Sequence, residues 1–443
     1  MSDVENNLRV PLRGSSPTEE ASSSKKSTFN SALSSTLKTI VGTGIIALPY
    51  GFSKSGIVIG VLGLIFVAYL STYSMKTLIE ASHKVRKMQE NDDEASGTIR
   101  RIALVTYGKS YGVAFCDFVL ITAQVGSSIA FAEFITKSFS DVLHVDSVWI
   151  ACAMAPILIA VCILKSTESL EYLGMFGNFI FLFSFIMVLI FGFGTTELQF
   201  QKMDFVSKSS GDISTYLGLV IFALAAQSEC MSIERFLPSE LQNQYGRILD
   251  IAISIAAIIY IAIATLCYAF FGNFTHDVIF DNVECGENYD LKCGALSHDA
   301  VSVIRGIVKI GMACMITINY PFTLEGALHT VEEWCLGRSA KFLYKNSPFV
   351  ELRAIILRTL LVVFTLVVAV VVPDFSFLVG LCGTFSSGLL AFVLPPAFIL
   401  ALDGKKLQDE HQYASIFKHV AILIGGLIFS IVASVFILID KFK

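Results

Sequence analysis

The residues best suited to binding chemistry lie in one short stretch, TLKTIVGTGIIALPYGF, residues 36–52, which is otherwise apolar. Gly42, Thr43 and Gly44 lower helix propensity, and Pro49 removes a backbone donor and disturbs the turn before it. We therefore expect a helix that is interrupted near the two glycines. An interruption leaves N–H groups free on the second half-helix and carbonyls free on the first. Such a break can bind both charged ends of a zwitterionic amino acid.

The alternative is a kinked helix whose glycines only allow close packing with a neighbour. A second break at the corresponding place of an inverted repeat would favour a binding site instead. A candidate lies five apolar segments later, in YLGLVIFALAAQSECMSIERFLP, where Gln227, Ser228 and Glu229 interrupt the apolar run. The match in position favours a transporter built from two inverted repeats of five helices, although no sequence repeat is visible.

The composition places these segments in a membrane. Hydrophobic residues make up 54% and charged residues 16% of the 443, whereas soluble chains carry about a quarter charged residues. Apolar segments long enough to cross a bilayer predict about 11 helices. They are expected at about residues 30–53, 56–80, 110–138, 147–165, 172–194, 214–235, 247–271, 299–324, 353–372, 374–402 and 417–439.

The predicted organisation is a short tail followed by one membrane domain. Residues 1–28 are polar and rich in Ser, Glu and Lys, which is typical of a disordered tail, and they do not form a signal peptide. The transmembrane domain is expected over 29–443. Its inverted repeats are expected at about 30–194 and 214–402, with an extra helix at 417–439.

Orientation follows from the basic residues, most of which fall in loops on one side, such as SHKVRKMQE and TIRRIALVTYGK. This bias predicts a cytoplasmic N-terminus. Asn273 begins a glycosylation sequon on the other face, where Cys285 and Cys293 either pair as a disulfide or stay free thiols. The sequence has no zinc spacing, P-loop, nucleophile elbow or placed carboxylate pair. We expect no enzyme activity, no cofactor, no metal and no nucleic-acid partner.

These motifs resemble the amino acid/auxin permease family of the amino acid-polyamine-organocation superfamily, and most closely its proton-assisted and vacuolar amino acid transporters. The resemblance implies an all-α, LeuT-like fold of 11 helices with broken helices 1 and 6, which moves amino acids by alternating access. The matching residues lie in the first, third, eighth and tenth spans. They are Lys38, Gly42, Thr43, Gly44, Leu48 and Pro49; Gln124 and Gly126; Pro321, Ala327 and Glu332; and Gly383, Ser386, Ser387, Ala391, Pro395 and Pro396.

The sixth span departs from the proton-assisted pattern F-A-F-E-G, because this chain reads FALAA and lacks the acidic residue. FALAAQSE also resembles the sodium-coupled neutral amino acid transporters, with Gln227 in the place of their histidine and with Glu229 retained. Both proton and sodium coupling therefore stay open at this stage.

Lys38 needs an explanation, because a charge in mid-membrane costs a few kcal/mol even on lenient scales. The resemblance implies that its ammonium replaces the sodium ion of sodium-coupled relatives and links the first span to the eighth. Thr317 and Asn319 are the candidate partners. The alternative is a lysine that snorkels to the lipid headgroups.

Three carboxylates in the spans also need a role. Glu229 either carries the coupled proton or stands at the cytoplasmic mouth and pairs with Arg235. Asp117 and Glu133 are expected near the two ends of the third span, at the membrane interfaces. The seven histidines give no further candidate.

We predict a secondary active transporter of neutral amino acids, coupled to protons and directed toward the cytosol. The substrate carboxylate is expected at the N–H groups near Thr43, Gly44 and Ile45, and its ammonium at carbonyls of Val41–Gly42 and Phe222–Ala223. The candidate substrate-binding residues are Val41, Gly42, Thr43, Gly44, Ile45, Gln124, Ser127, Phe222, Ala223, Ala226, Gln227 and Ser386. The alternatives are a sodium-coupled transporter of the same fold and an amino acid sensor. The sequence indicates a vacuolar, lysosomal or plasma membrane and leaves the oligomeric state open.

Overall fold

The computed structural model describes residues 28–88, 98–163, 167–195, 203–207, 209–284, 298–336, 348–409 and 412–442. The regular elements in these ranges are all helical. The tail predicted over residues 1–28, apart from Thr28, and the cysteine pair Cys285 and Cys293 lie outside the described residues.

Several membrane spans consist of more than one helical segment. The first span consists of α1 (Phe29–Ile40), a 3₁₀ turn at Thr43–Ala47, and α2 (Leu48–Ser55); the sixth span consists of α8 (Ser210–Ala223) and α9 (Gln227–Phe236). In the tenth span, two π-helical segments at Gly383–Ser387 and Leu389–Val393 join α14 (Phe375–Cys382) to α15 (Leu394–Asp409). The helices are α1 Phe29–Ile40, α2 Leu48–Ser55, α3 Ile57–Met88, α4 Ile99–Tyr107, α5 Val113–Leu143, α6 Ser147–Ile163, α7 Thr167–Thr195, α8 Ser210–Ala223, α9 Gln227–Phe236, α10 Ser239–Gln242, α11 Tyr245–Phe271, α12 His298–Leu336, α13 Pro348–Val371, α14 Phe375–Cys382, α15 Leu394–Asp409 and α16 Tyr413–Lys441.

The number of membrane crossings agrees with the sequence. Within the described residues, eight helices are long and apolar enough to span a membrane, and the bent pair Phe29–Ile40 and Thr43–Ser55 adds a ninth. Two shorter apolar helices, Ser147–Ile163 and Phe179–Gly194, occupy the places of the predicted fourth and fifth spans. The prediction of an all-α membrane protein with about 11 spans is confirmed.

The end of the eighth span and one short helix differ from the prediction. The eighth span was expected to end near residue 324, but α12 continues to Leu336. Its charged last turns are stable as helix because Glu332 binds Arg358 at 2.7 Å and Glu333 binds Arg100. The short helix α4 was not expected, and its apolar residues Ile99, Ile102 and Ala103 are buried. Contacts with residues that are distant in the sequence thus account for the longer α12 and for the presence of α4.

Both predicted helix breaks are present. The first span bends by 45° between Ile40 and Thr43, and Gly42 is extended there, with φ −117° and ψ −162°. The sixth span is interrupted between Ala223 and Gln227. The predicted breaks in helices 1 and 6 are therefore confirmed, and the LeuT-like arrangement of the repeats stays a prediction.

The two breaks touch each other through Gly44. A Cβ atom at Gly44 would lie 2.5 Å from the Ala223 Cα atom and 2.7 Å from its Cβ atom. Only glycine fits at this distance, because carbon atoms in contact are normally about 3.5–4.0 Å apart. The contact brings the unwound backbone of both spans to one place in the molecule.

Candidate functional site

A cavity of about 390 Å³ lies where the two breaks meet. Its walls come from the first, third, fifth, sixth, eighth and tenth spans. The lining residues are Lys38, Thr39, Ile40, Val41, Gly42, Thr43 and Gly44; Leu120, Ala123, Gln124, Ser127 and Phe131; Phe181; Phe222, Ala223, Ala225, Ala226, Ser228 and Glu229; Met315, Asn319, Phe322 and Thr323; and Ser387 and Leu390.

Free backbone donors stand at the start of the 3₁₀ turn. Its first hydrogen bond runs from the Ile45 N–H to the Gly42 carbonyl, at 3.4 Å. The N–H groups of Thr43 and Gly44 precede this bond, and the backbone bonds of the described residues include none from either. Ile45 was predicted to contribute as well, but its N–H is engaged and the residue is 1% exposed, outside the cavity lining.

The carbonyls at the breaks are partly engaged by a tyrosine that sequence reasoning missed. The Tyr260 hydroxyl lies 2.7 Å from the Ile40 carbonyl and 3.2 Å from the Ala223 carbonyl, so it bridges the two broken spans. The Ala223 carbonyl thus already accepts one hydrogen bond, and its predicted contact with the substrate ammonium would use its second lone pair. The Val41 carbonyl accepts no hydrogen bond from the described backbone. Tyr260 sits inside the apolar run AAIIYIAIA, and a buried hydroxyl in such a run needs a partner.

Two further carbonyls near the breaks are also engaged. The Phe222 carbonyl accepts a bond from the Ala225 N–H at 3.2 Å, and the Gly42 carbonyl accepts the bond from Ile45. Of the four carbonyls predicted to meet the ammonium, only that of Val41 is free of backbone and tyrosine partners. The Val41 carbonyl therefore has both lone pairs available to an ammonium group, whereas the other three have one each.

The charged side chains that line the cavity are Lys38 and Glu229. Both are exposed, and no ion pair joins either of them to another described residue. The predicted partners of Lys38 bond within their own helix instead. Asn319 lines the cavity and donates to the Met315 carbonyl at 3.2 Å, whereas Thr317 lies outside the lining and donates to the Ala313 carbonyl. The expected contact between the first and eighth spans is not formed in this conformation.

Polar side chains mark an open route from the cavity to one membrane face. We call the face at which the first span begins the N-terminal face, and the other the opposite face. Exposed polar residues at helical spacing lead from the cavity toward the N-terminal face, whereas Ile45–Phe52 on the other side are buried apart from Tyr50. The exposed residues are Ser31, Ser35 and Lys38 on α1, Glu229 and Ser232 on α9, and Glu325 and His329 on α12.

The third span contributes the two predicted polar residues. Gln124 and Ser127 both line the cavity. The Gln124 amide packs directly on Gly326 of the eighth span, and its Oε1 atom has no hydrogen-bond partner among the described residues. The Ser127 hydroxyl donates to the Ala123 carbonyl at 2.8 Å. Gln124 is therefore a polar group of the cavity wall with an unused acceptor.

Two predicted residues are one position out of register. Gln227 and Ser386 are each 1% exposed and do not line the cavity, while their neighbours Ser228 and Ser387 do. The Ser386 hydroxyl donates to the Cys382 carbonyl at 2.9 Å. A π-helical segment rotates the following helix face relative to a regular α-helix, so an α-helical pattern cannot foresee this register.

Two carboxylates of the third span are buried, although both were expected at the interfaces. Asp117 is fully buried, and it lies 3.0 Å from Arg100 and accepts a bond from Trp334 at 3.0 Å. Glu133 is 1% exposed, and neither of its carboxyl oxygens has a hydrogen-bond partner in the described part of the chain. Helices from other parts of the chain cover both carboxylates. Their expected depth at the two membrane interfaces stays a prediction.

The glycosylation sequon is occupied by local contacts. Asn273 accepts a bond from the Tyr268 hydroxyl and donates to Asp204, each at 3.2 Å. Thr275 is 4% exposed and donates to the Gly272 carbonyl. Both sequon side chains thus make local hydrogen bonds, while Asn273 is exposed, and its glycosylation stays a prediction.

Comparison with known proteins identifies one family. The profile of the transmembrane amino acid transporter protein family matches residues 25–439. The chain is 23% identical to amino acid transporter ANT1 of Arabidopsis thaliana, over 95% of this chain and 94% of that protein. It is 21% identical to the proton-coupled amino acid transporter-like protein pathetic of Drosophila melanogaster, over 92% and 84%. It is 23% identical to vacuolar amino acid transporter 7 of Saccharomyces cerevisiae, over 69% and 60%.

Proposed function

The chain belongs to the transmembrane amino acid transporter family, and from that premise we propose that it carries neutral amino acids across a membrane by proton-coupled alternating access. The observation that carries the proposal is the meeting of two helix breaks at one cavity. There, free N–H groups of Thr43 and Gly44 stand close to the free carbonyl of Val41. A substrate with a carboxylate and an ammonium on one carbon fits this pairing.

The charge of the cavity favours a substrate whose side chain is neutral. Lys38 and Glu229 contribute one positive and one negative charge to the lining, so a zwitterion adds no net charge to the site. The volume of about 390 Å³ lies near the lower end of the usual range for ligand pockets. Ser127, Phe222 and Ala226 provide a mixed wall for a small or mid-sized side chain.

The open route fits release at the N-terminal face. We take this face as cytoplasmic because most basic loops lie there, which makes the observed conformation inward-open. An inward proton gradient would then drive uptake at a plasma membrane or export from an acidic vacuole or lysosome. One relative is named as proton-coupled and another as vacuolar, which supports proton coupling and a vacuolar membrane.

Lys38 and Glu229 are the candidate coupling groups of the cavity. Both reach the water of the open route, and neither is held in an ion pair with another described residue. A carboxylate or ammonium in such a position can change its protonation between the two open states, since the dielectric around it changes when the cavity closes. The proton would travel with the substrate for this reason.

The test is uptake of a panel of the common L-amino acids into proteoliposomes, with imposed proton or sodium gradients. We expect accumulation of one or several neutral amino acids under the proton gradient alone. Lys38→Ala should lose most of this accumulation. Lys76→Ala is the control, because Lys76 pairs with Asp250 at 2.6 Å outside the cavity. Accumulation that needs sodium and ignores pH would reject proton coupling.

A further inference from the structure

Glu133 is a buried acid that the proposed transport mechanism does not use. It lies on the third span, two residues beyond the cavity-lining Phe131 and toward the opposite face. Glu133 is 1% exposed, and both of its carboxyl oxygens lack hydrogen-bond partners in the described part of the chain. An ionised carboxylate without partners is costly to bury, so such a group takes up a proton instead. In this conformation Glu133 is therefore a neutral acid.

The cation nearest to Glu133 along the third span is already bound by other carboxylates. Lys137 follows Glu133 by one helical turn, but its ammonium lies 3.4 Å from an Asp277 oxygen and 3.9 Å from an Asp281 oxygen. A second buried cation, Lys309, is bound by Asp141 at 2.5 Å and by Asp281. Both ammonium groups are thus bound by other carboxylates, and neither donates a hydrogen bond to Glu133.

The other charged groups near Glu133, on the neighbouring elements, are likewise bound to partners of opposite charge, so none of them is available to an ionised Glu133. Asp374 at the start of the tenth span is bound by Lys441 at 2.6 Å, and Arg305 of the eighth span is bound by Glu284 at 2.9 Å. We call the whole set the opposite-face cluster. It consists of Tyr50 and Lys54 from the first span, Glu133, Lys137 and Asp141 from the third, Asp277, Asp281 and Glu284 from the segment after the seventh, Arg305 and Lys309 from the eighth, Asp374 from the start of the tenth, and Lys441 from the last.

Glu133 also lies at a joint between two spans. On the same side of the third span, Gly126 packs directly on Cys382 of the tenth span. Phe134 meets Phe375 edge to face, with ring centroids 5.7 Å apart. Opening the cavity to the opposite face requires the elements over it to part, and their parting would admit water to Glu133 and loosen the hold on Lys137. A wet carboxyl group one turn from a free ammonium ionises readily.

We propose that Glu133 is a proton-binding latch of the opposite face: that face closes only when the Glu133 carboxylate has taken a proton from the solution there. When the face reopens, the proton returns to the same solution and the carboxylate pairs with Lys137. The latch rests on the proposed transport function, but it is separate from the proton that travels with the substrate. Acid on the opposite face therefore speeds the cycle even without a gradient.

The functional test is amino acid exchange in proteoliposomes with equal substrate and equal pH on both sides. The substrate is the best amino acid from the uptake panel. Above the pH at which Glu133 ionises in the open state, wild-type exchange should fall by about tenfold per pH unit, since one proton is required. Glu133→Gln imitates the protonated acid and should lose this part of the pH dependence, so that only the fall caused by the proton that travels with the substrate is left. Glu240→Gln, an exposed residue outside the spans, should keep the wild-type profile. A Glu133→Gln profile equal to that of the wild type would overturn the latch.

A substrate-free measurement separates failure of the latch from failure of the proposed function. An acid that is neutral when folded and ionised when unfolded binds more protons in the folded state, so stability falls as pH rises. Thermal unfolding in detergent should show this fall for the wild type and a flatter curve for Glu133→Gln, with Glu240→Gln as control. Equal slopes would refute the neutral acid at Glu133. A wild type that exchanges no amino acid but shows the predicted slopes would reject the transport function alone.

Discussion

One methyl group at Gly44 should disable the site. A Cβ atom there would lie 2.5 Å from the Ala223 Cα atom, 2.7 Å from its Cβ atom and 3.2 Å from its nitrogen. These are backbone atoms or atoms fixed to the backbone, so no side-chain rotation can relieve the contact. To reach an ordinary carbon contact of about 3.5 Å, the two broken segments must part by about 1 Å.

The free-energy cost of Gly44→Ala can be estimated from the cost of overpacking in protein cores. Forcing an extra methylene into a packed site costs about 1–3 kcal/mol, and each 1.4 kcal/mol is about tenfold in an equilibrium constant. Parting the segments also moves the N–H groups of Thr43 and Gly44 away from the carbonyl side of the cavity. We expect Gly44→Ala to reduce substrate affinity by about 5- to 150-fold.

The assay is concentration-dependent uptake into proteoliposomes, scaled to the amount of folded transporter from gel filtration. Gly42→Ala is the matched comparison, because a Cβ atom there meets nothing closer than the Ile40 carbonyl at 3.9 Å. Gly425→Ala in the last span, with nothing within 4 Å, controls for glycine replacement in general. The reasoning is refuted if Gly44→Ala transports as well as Gly42→Ala at every concentration.

Three more changes test other parts of the structure. Tyr260→Phe removes the hydroxyl that joins the carbonyls of the two breaks, and it should lower stability by about 1–3 kcal/mol in thermal unfolding; an unchanged midpoint would contradict the bridge. Glu332→Gln removes the carboxylate that binds the half-buried Arg358 at 2.7 Å and should lower stability by about 1–3 kcal/mol, so a loss near zero in the same assay would count against this ion pair. Burial raises the pKa of Asp374, but hydrogen bonds from Lys441 and from the first turn of the tenth span lower it more, so its pKa lies below the usual range. The stabilisation by Asp374 is present above the pKa of the unfolded state and is lost as pH falls through the lower pKa of the folded state. Asp374→Asn should therefore remove this loss of stability at acid pH. A variant whose stability falls with acid in the same way as that of the wild type would contradict the lowered pKa.

Local chemistry in the sequence is sufficient to predict the breaks. Gly42, Gly44 and Pro49 disfavour a continuous helix through their own backbone properties, and the bend of 45° falls at this place. The apolar lengths likewise predict the crossings, because a bilayer imposes a fixed span. Both signals depend on residues that are close together in the chain.

Features that depend on long-range contacts could not be predicted in the same way. The end of α12 depends on Glu332 meeting Arg358, and the bridge between the breaks depends on Tyr260 of another span. The choice of Ser387 over Ser386 as a lining residue depends on a π-helical segment. The burial of Glu133 depends on the helices that cover it. Sequence periodicity carries no information on such pairings.

The cavity explains why backbone atoms rather than side chains are the expected contacts of the substrate. Thr43 and Gly44 offer N–H groups, Val41 offers a carbonyl, and the lining side chains carry no net charge. Recognition of this kind requires both charged groups of the amino acid and tolerates differences in its side chain. It predicts a transporter with several related substrates.

The most direct test of the account is competition for uptake between the best amino acid of the panel and two analogues of it, one without the carboxylate and one without the ammonium group. If the breaks bind both ends of a zwitterion, the amino acid should inhibit labelled uptake and both analogues should fail at concentrations about a hundredfold higher. Inhibition by either analogue at the concentration of the amino acid itself would contradict the account.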